Sequence, residues 1–314
     1  MKQAGHLIDG VLLLDKPAGL SSNDALQRAR RLLNAAKAGH GGTLDPLATG
    51  LLPLAFGEAT KFLHDLLDAD KTYEAVVQLG TATDSGDAEG VVIRTSPVEQ
   101  DDAAIRHACA AFAGPILQVP PMHSALKRDG RPLYELARAG GHVELEPRAV
   151  TVHALEVRAI DRADPVAPRV DMRVTVSKGT YIRALARDIG ERLGCGAHLA
   201  GLRRTAVDGL SIAQAVTLAQ LEALAPADRI AALAPLDALV AGLPRVELGD
   251  ELATRFMHGQ RIVLDAAVRH AVAAHEAGRV RVYRARHLLG VAEFRPPGLL
   301  APLRLVAQRA APNP

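Results

Sequence analysis

The residues best placed to do chemistry lie between Gly39 and Gly50, in GHGGTLDPLATG. Four glycines, a proline and two threonines mark this stretch as a loop, and its glycines let the backbone approach a ligand closely. Asp45 sits inside it, and Pro46 biases Asp45 toward an extended backbone. A carboxylate held on such a loop can act as nucleophile, base or metal ligand. An aspartate in a Gly/Pro-rich loop also commonly makes only a local Asx-type hydrogen bond, and composition alone favours that quieter role. Metal binding has little support, because no second carboxylate or His pair lies at ligand spacing around Asp45.

Other chemistries are thinly represented. The chain has neither a GxGxxG fingerprint nor a P-loop. The two cysteines, Cys109 and Cys195, are far apart, and neither a metal site nor a disulfide framework is expected. Net charge is only +2, but it is unevenly spread. From Leu243 onward there are 11 Arg, no Lys and 6 Asp plus Glu, a balance of +5. Lys178–Arg204 holds six Lys or Arg against Asp188 and Glu191, a balance of +4. Such clustering suits a polyanion such as RNA, although Arg is also the favoured surface cation throughout. With no apolar stretch of about 18 residues, no transmembrane helix is expected. The N-terminus shows no export signal, so the cytoplasm is the expected compartment.

The elements that must carry these residues are legible in outline. Gly10–Leu14 is an apolar run closed by Asp15-Lys16-Pro17-Ala18-Gly19, a buried strand ending in a turn. Ser22 reads as the N-cap of a helix running to about Ala36, with Ala25, Leu26, Ala29, Leu32 and Leu33 at helical spacing. Helices are expected over Glu58–Leu67, Asp101–Phe112, Leu133–Ala139, Thr180–Leu193 and Leu218–Leu224. Strands are expected over Thr72–Leu79, through Val170–Val176 and over Leu202–Val207. Gln118–Pro132 (QVPPMHSALKRDGRP) reads as an exposed loop that can move. From about Leu243, short apolar runs and frequent Gly/Pro turns predict a compact β-rich module. The order of elements is not a strict βαβ alternation, so the class is α+β, divided at about residue 240 into 1–240 and 241–314.

Lys37–Phe62 (KAGHGGTLDPLATGLLPLAFGEATKF) resembles the signature segment of the TruB family of tRNA pseudouridine-55 synthases. The likeness continues through GVLLLDKPAGLSSNDALQRARRLL, DKTYEAVVQLGTATDSGDAEG, QVPPMHSALKRDGRPLYELAR, VSKGTYIRALARDIG and GAHLAGLRRTAVDGL, in the family's order and over most of residues 10–210. The resemblance implies a catalytic domain with a mixed, mainly antiparallel sheet and flanking helices. More faintly, GLPRVEL, HGQRI and VRVYRARHLLGVAEF resemble a PUA-like RNA-binding module. It also implies roles: Asp45 as catalytic aspartate, Tyr73 stacking on the target base, and Arg183 pairing with Asp45. His40 would occupy the space that a flipped base vacates. Lys16, Tyr181 and Leu202 would lie at or beside the pocket. Independently of the resemblance, the charge of Lys127, Arg128 and Arg131 and of the basic stretch Lys178–Arg204 makes them candidates for phosphate contacts. A buried Asp45 beside Arg183 would keep its charge, since a close opposite charge favours the ionised carboxylate.

The implied reaction isomerises uridine 55 of the tRNA T-loop to pseudouridine after base flipping, with no cofactor, no metal and no obligate protein partner, by a monomer. Two rivals differ in partner and activity. A dyskerin-like relative takes its target from a guide RNA, and a non-enzymatic tRNA chaperone would need none of the carboxylate chemistry. Taken singly, each site residue has an ordinary role: Tyr73 can fill a core, Arg183 can be a surface charge, His40 can cap a loop.

Overall fold

The structure, a computed structural model, describes residues 5–264 and 278–307, apart from 123, 125, 129, 139, 140 and 142. Its first part is built on a ten-stranded sheet. In chain order the strands are β1 (Gly10–Lys16), β2 (Ala38–His40), β3 (Thr49–Phe56) and β4 (Lys71–Leu79). Next come the small hairpin β5 (Thr81–Thr83) and β6 (Val92–Thr95), then β7 (Gly114–Gln118) and a second hairpin, β8 (Lys127–Arg128) with β9 (Arg131–Pro132). β10 (Arg148–Asp161), β11 (Arg169–Val176), β12 (Ala197–Val207), β13 (Leu210–Ser211) and β14 (Val216–Thr217) follow. The sheet runs β14-β1-β3-β12-β4-β11-β10-β7, with β2 on β3 and β13 on β12. Only β1–β14 and β3–β12 pair in parallel, so the sheet is mixed and mainly antiparallel, and the class is α+β as expected.

Helices α1 (Ser22–Leu32), α3 (Asp102–Ala110) and α5 (Ile182–Leu193) pack on one face, and α6 (Leu218–Ala223) joins them through Leu221; α2 (Leu63–Asp68) instead turns Leu66 to the other core, and α4 (Leu133–Arg138) follows β9. Ala25, Leu26 and Ala29 of α1, Ile105 and Cys109 of α3, and Leu185 and Ile189 of α5 pack on Leu12, Leu14, Leu52, Leu54, Val77 and Val174. The alternate residues of β1 and β3, Val11, Leu13, Leu51 and Ala55, face the opposite core with Phe62 and Leu66. β1 is therefore buried on both faces, which is why it reads as a continuous apolar run rather than an alternation.

The second sheet has five strands: β15 (Arg245–Glu247), β16 (Ile262–Val263), β17 (Gly278–Arg284), β18 (His287–Arg295) and β19 (Leu299–Leu305), in the order β15-β17-β18-β19-β16. It has its own core around Phe256, Val280, Val282 and Phe294. Tyr283, Leu288, Val291 and Val306 instead join the core that includes Val11, Leu13 and Phe62. Between the sheets, the Tyr283 hydroxyl donates to Asp237, Arg279 pairs with Asp65, and the Lys61 ammonium donates to Leu305 O at 2.8 Å.

Several local expectations are corrected. The N-cap of α1 is Ser21, whose Oγ accepts from the Asp24 N–H at 3.1 Å; Ser22 is the first helical residue. The helix stops at Leu32 because Asn34 turns left-handed at φ 48°. The helix expected over Glu58–Leu67 is a 3-10 segment, Gly57–Phe62, followed by α2. The segment Gln118–Pro132 is not simply an exposed loop: Gln118 and Ser124 are buried, and β8 and β9 form a hairpin within it. The 14-residue strand β10 was not expected at all.

Candidate active site

Asp45 stands on the turn between β2 and β3, and every flank of that turn is anchored. The Ser22 hydroxyl, 1% exposed, donates to Leu44 O at 2.9 Å and accepts from the Leu44 N–H at 2.8 Å. On the other side the Gly19 N–H donates to Pro46 O at 2.9 Å, and the Ala48 N–H closes on Asp45 O at 3.1 Å. Lys16, fully buried, donates its ammonium to Pro17 O at 2.9 Å and Leu20 O at 2.7 Å, closing the turn that carries Gly19. The hydroxyl that looked like a helix cap therefore holds the residue preceding Asp45.

The carboxylate meets Arg183, the second residue of α5, with Nη2 to Oδ2 at 3.0 Å. The Arg183 side chain is 6% exposed while that of Asp45 is 42% exposed. The expectation of a buried aspartate is corrected: the guanidinium is buried, and the carboxylate presents an open side. Arg183 is fixed from behind by Asp87, at 3.5 Å, and it donates to Ser85 O at 3.2 Å. Asp87 is held in turn by the Ser85 hydroxyl at 2.6 Å and the Glu89 N–H at 3.1 Å. One guanidinium thus bridges two carboxylates, the buried Asp87 and the half-exposed Asp45. A groove of about 640 Å³ has Arg183 in its wall, together with Ser85, Gly86, Pro120, Met122 and Arg187.

The electrostatics around the turn are set by burial. Burial pushes the Lys16 ammonium down to about 8; the Asp45 charge opposes this and Arg204 adds to it. His40, at the end of β2, is lowered by burial and then by Arg204. Tyr181 is raised mainly by burial, and its backbone N–H donates to the Gln118 side-chain oxygen at 2.8 Å, fixing the start of α5.

The remaining expected residues lie on several different elements. Tyr73 lies on β4, 8% exposed, in register with Arg204 of β12 and Val174 of β11. Leu202 lies on β12 opposite Ala75, and its carbonyl accepts from the Thr49 hydroxyl at 3.4 Å. The backbones of Lys127, Arg128 and Arg131 form the β8–β9 hairpin, and their side chains lie outside the described residues. The basic stretch Lys178–Arg204 is not a uniform phosphate surface. Lys178 pairs with Asp68, Arg187 with Asp188 and Arg203 with Asp15. Arg204, 1% exposed, cannot meet phosphate. Sequence reasoning missed Ser22, Asp87 and the true place of Arg204. Asp87 does stand in the quoted TATDSGDAEG block, but nothing in a polar turn says which acid faces an arginine 96 positions on.

No group of three or more His, Cys, Asp or Glu among the described residues could hold a metal ion. No helix among the described residues is long and apolar enough to cross a membrane. What the arrangement offers is a single oriented carboxylate, open on one side and backed by a buried cation.

The profile of the TruB family pseudouridylate synthase N-terminal domain matches residues 30–182. That of the tRNA pseudouridylate synthase B C-terminal domain matches 183–244, and that of the pseudouridine synthase II TruB C-terminal region matches 244–306. A Burkholderia mallei protein named tRNA pseudouridine synthase B is 60% identical over 308 residues, covering 98% of this chain and 100% of its own. A Ralstonia nicotianae protein of the same name is 58% identical over 310 residues, covering 97% and 96%. Among solved structures, a chain of a Cbf5–Nop10–Gar1 complex superposes with TM-score 0.69 at 28% identity, covering 92% of this chain and 79% of that one. A chain of an archaeal box H/ACA Nop10–Cbf5 complex gives 0.70 at 26%, covering 96% and 87%. With the matched profiles spanning both sheets and identity near 60% over the whole length, the chain belongs to the TruB family of pseudouridylate synthases.

Proposed function

We propose that this chain isomerises a uridine of tRNA, position 55 in the T-loop, to pseudouridine, with Asp45 as the catalytic carboxylate. The observation that carries the reading is the Asp45–Arg183 pair: a half-exposed carboxylate held at 3.0 Å by a buried guanidinium, on a turn anchored on both sides. Relatives near 60% identical along the whole chain are named for this activity.

The reaction breaks the N1–C1′ bond of the nucleoside, turns the uracil and joins C5 to C1′. The C5 proton leaves and N1 gains one, so oxidation state is unchanged and no redox cofactor is needed. A carboxylate beside the sugar serves either by attacking C1′ or by removing a C2′ proton. Arg183 holds its orientation, which matters because a misplacement of about 1 Å can cost on the order of 100-fold in rate. Tyr73 offers a flat ring for the uracil and a hydroxyl for proton chemistry at C5. Extruding the base from the T-loop costs a few kcal/mol, recovered by stacking and hydrogen bonds in the site. His40 fills the space the base leaves. Lys16, Tyr181 and Leu202 line or support the pocket, and Lys127, Arg128 and Arg131 meet phosphate. The chain acts as a cytoplasmic monomer without an obligate protein partner, its residues 1–240 forming the catalytic domain and 241–314 the RNA-binding module.

The test is tritium release from tRNA transcript labelled at uracil C5, with purified protein and no cofactor, followed by mapping of the product. Release with the new residue in the T-loop is expected. Asp45→Asn, nearly isosteric, should abolish release and leave tRNA affinity within about threefold, since it removes the charge and not the shape. Turnover by the Asn variant would remove Asp45 from the mechanism.

A further inference from the structure

Arg204 is a buried cation that the reaction described above leaves unused. It lies on β12 and is 1% exposed. Among the described residues no carboxylate lies within ion-pair distance of it; the adjacent Arg203 takes Asp15 instead. A buried charge without a counter-ion is costly, so its hydrogen bonds must carry the compensation. Those bonds all go to one place. Nε donates to Leu51 O at 2.8 Å, Nη2 to Gly42 O at 3.3 Å and Nη1 to Thr43 O at 3.5 Å.

These three carbonyls lie at the two ends of the turn that carries Asp45. The backbone of Arg204 grips the same turn. Arg204 stands in parallel register with Gly50, and Arg203 with Thr49. Gly50 has φ +102°, and a Cβ there would stand 2.3 Å from Arg204 O, so the contact tolerates no side chain. Both the backbone and the side chain of one residue thus close a nine-residue path from Gly42 to Gly50 with Asp45 near its middle. The charge is also felt around the site: Lys16, His40 and Lys71 are each lowered first by burial and next, or nearly so, by Arg204.

We propose that Arg204 is a positioning residue that clips the two ends of the Asp45 turn together through Gly42, Thr43 and Leu51, and so sets where the Asp45 carboxylate stands. The inference rests on Asp45 as the catalytic carboxylate. A lysine could supply the charge, but its compact ammonium cannot spread donors across three carbonyls as a planar guanidinium does.

The experiment compares wild type, Asp45→Asn, Arg204→Met and Arg204→Lys. Three quantities are measured: single-turnover tritium release at saturating enzyme, tRNA Kd by filter binding, and thermal melting. Arg204→Met should lower the single-turnover rate by about 100-fold and Arg204→Lys by at least about tenfold. Both should keep Kd within about threefold and melt cooperatively. Several outcomes would overturn the inference. A wild-type rate in Arg204→Lys would mean that charge alone matters. A defect that appears in Kd and vanishes at saturation would mean that Arg204 serves RNA binding. Loss of cooperative melting in both variants would make it a general prop of the sheet. Turnover by Asp45→Asn would refute the Asp45 reading itself, whereas a dead Asp45→Asn beside a fully active Arg204→Met refutes the Arg204 inference alone.

Discussion

Ser22→Ala is a deletion of one oxygen atom, and its consequence can be worked from the structure. The hydroxyl makes two hydrogen bonds, at 2.9 and 2.8 Å, to the carbonyl and N–H of Leu44, a residue 3% exposed. A buried backbone group left without a partner costs about 1–3 kcal/mol, so two such groups set a ceiling near 6 kcal/mol. Leu44 lies in a turn rather than a ladder, and the turn can shift to find water. That relaxation lowers the stability cost to about 2–3 kcal/mol, and it moves the neighbouring Asp45. The two effects trade against each other. If the turn stays in place, stability carries the loss; if it moves, catalysis does, by on the order of 10- to 100-fold for a displacement approaching 1 Å. Denaturant unfolding read beside single-turnover tritium release measures both sides. A variant that loses less than about 0.5 kcal/mol and also turns over within twofold of wild type would refute the reasoning, because neither branch would have occurred.

The C-terminal sheet and the buried lysines carry the remaining predictions. Arg284 and Arg286 are exposed at the β17–β18 turn, and replacing both by alanine should reduce the slope of log K against log salt for tRNA by roughly 1.4–1.8; an unchanged slope would show that this turn does not touch phosphate. Substitution is the cleaner test than removing residues 243–314, because Tyr283, Leu288, Val291 and Val306 help to cover Val11, Leu13 and Phe62, and deletion would expose that core. For Lys16, burial lowers the folded pKa from 10.5 to about 8. Between those values the unfolded chain holds a proton that the folded chain has released, so stability should rise with pH through that window. Lys71, also lowered to about 8, adds to the same rise. Lys16→Met should therefore flatten, without abolishing, the increase in unfolding free energy between pH 8 and 10, and a slope identical to wild type would count against the assignment.

Most of the fold's local content was written in the chain. Thr72–Leu79 and Val170–Val176 alternate because each presents one face to the core, and the structure has strands there. Asp101 caps its helix at Ala104 N, and α5 ends at Gly194 in the left-handed conformation that the helix-stop chemistry of glycine favours. β10 escaped notice for a physical reason. Bulges between Val152 and Ala154 and between Val157 and Ala159 reset which face each side chain occupies, so a strand of 14 residues shows no sustained period of two. The choice between Ser21 and Ser22 as the cap of α1 was beyond local reasoning, since both are good caps and only Leu44, 22 positions away, claims the second hydroxyl.

At the site, the sequence by itself determined the family, the loop that bears Asp45 and the nature of the residues around it, because those are properties of contiguous blocks. The tertiary structure decided which charges meet. It buried Arg183 between Asp45 and Asp87, left the Asp45 carboxylate open, and turned Arg204 from a member of a basic run into the inner fastening of the turn. Each of these depends on bringing strands and loops separated by tens to more than a hundred residues to within about 3 Å. Charge counts along a chain carry no information about that geometry: a cation is a surface group or a buried one according to what the sheet places over it.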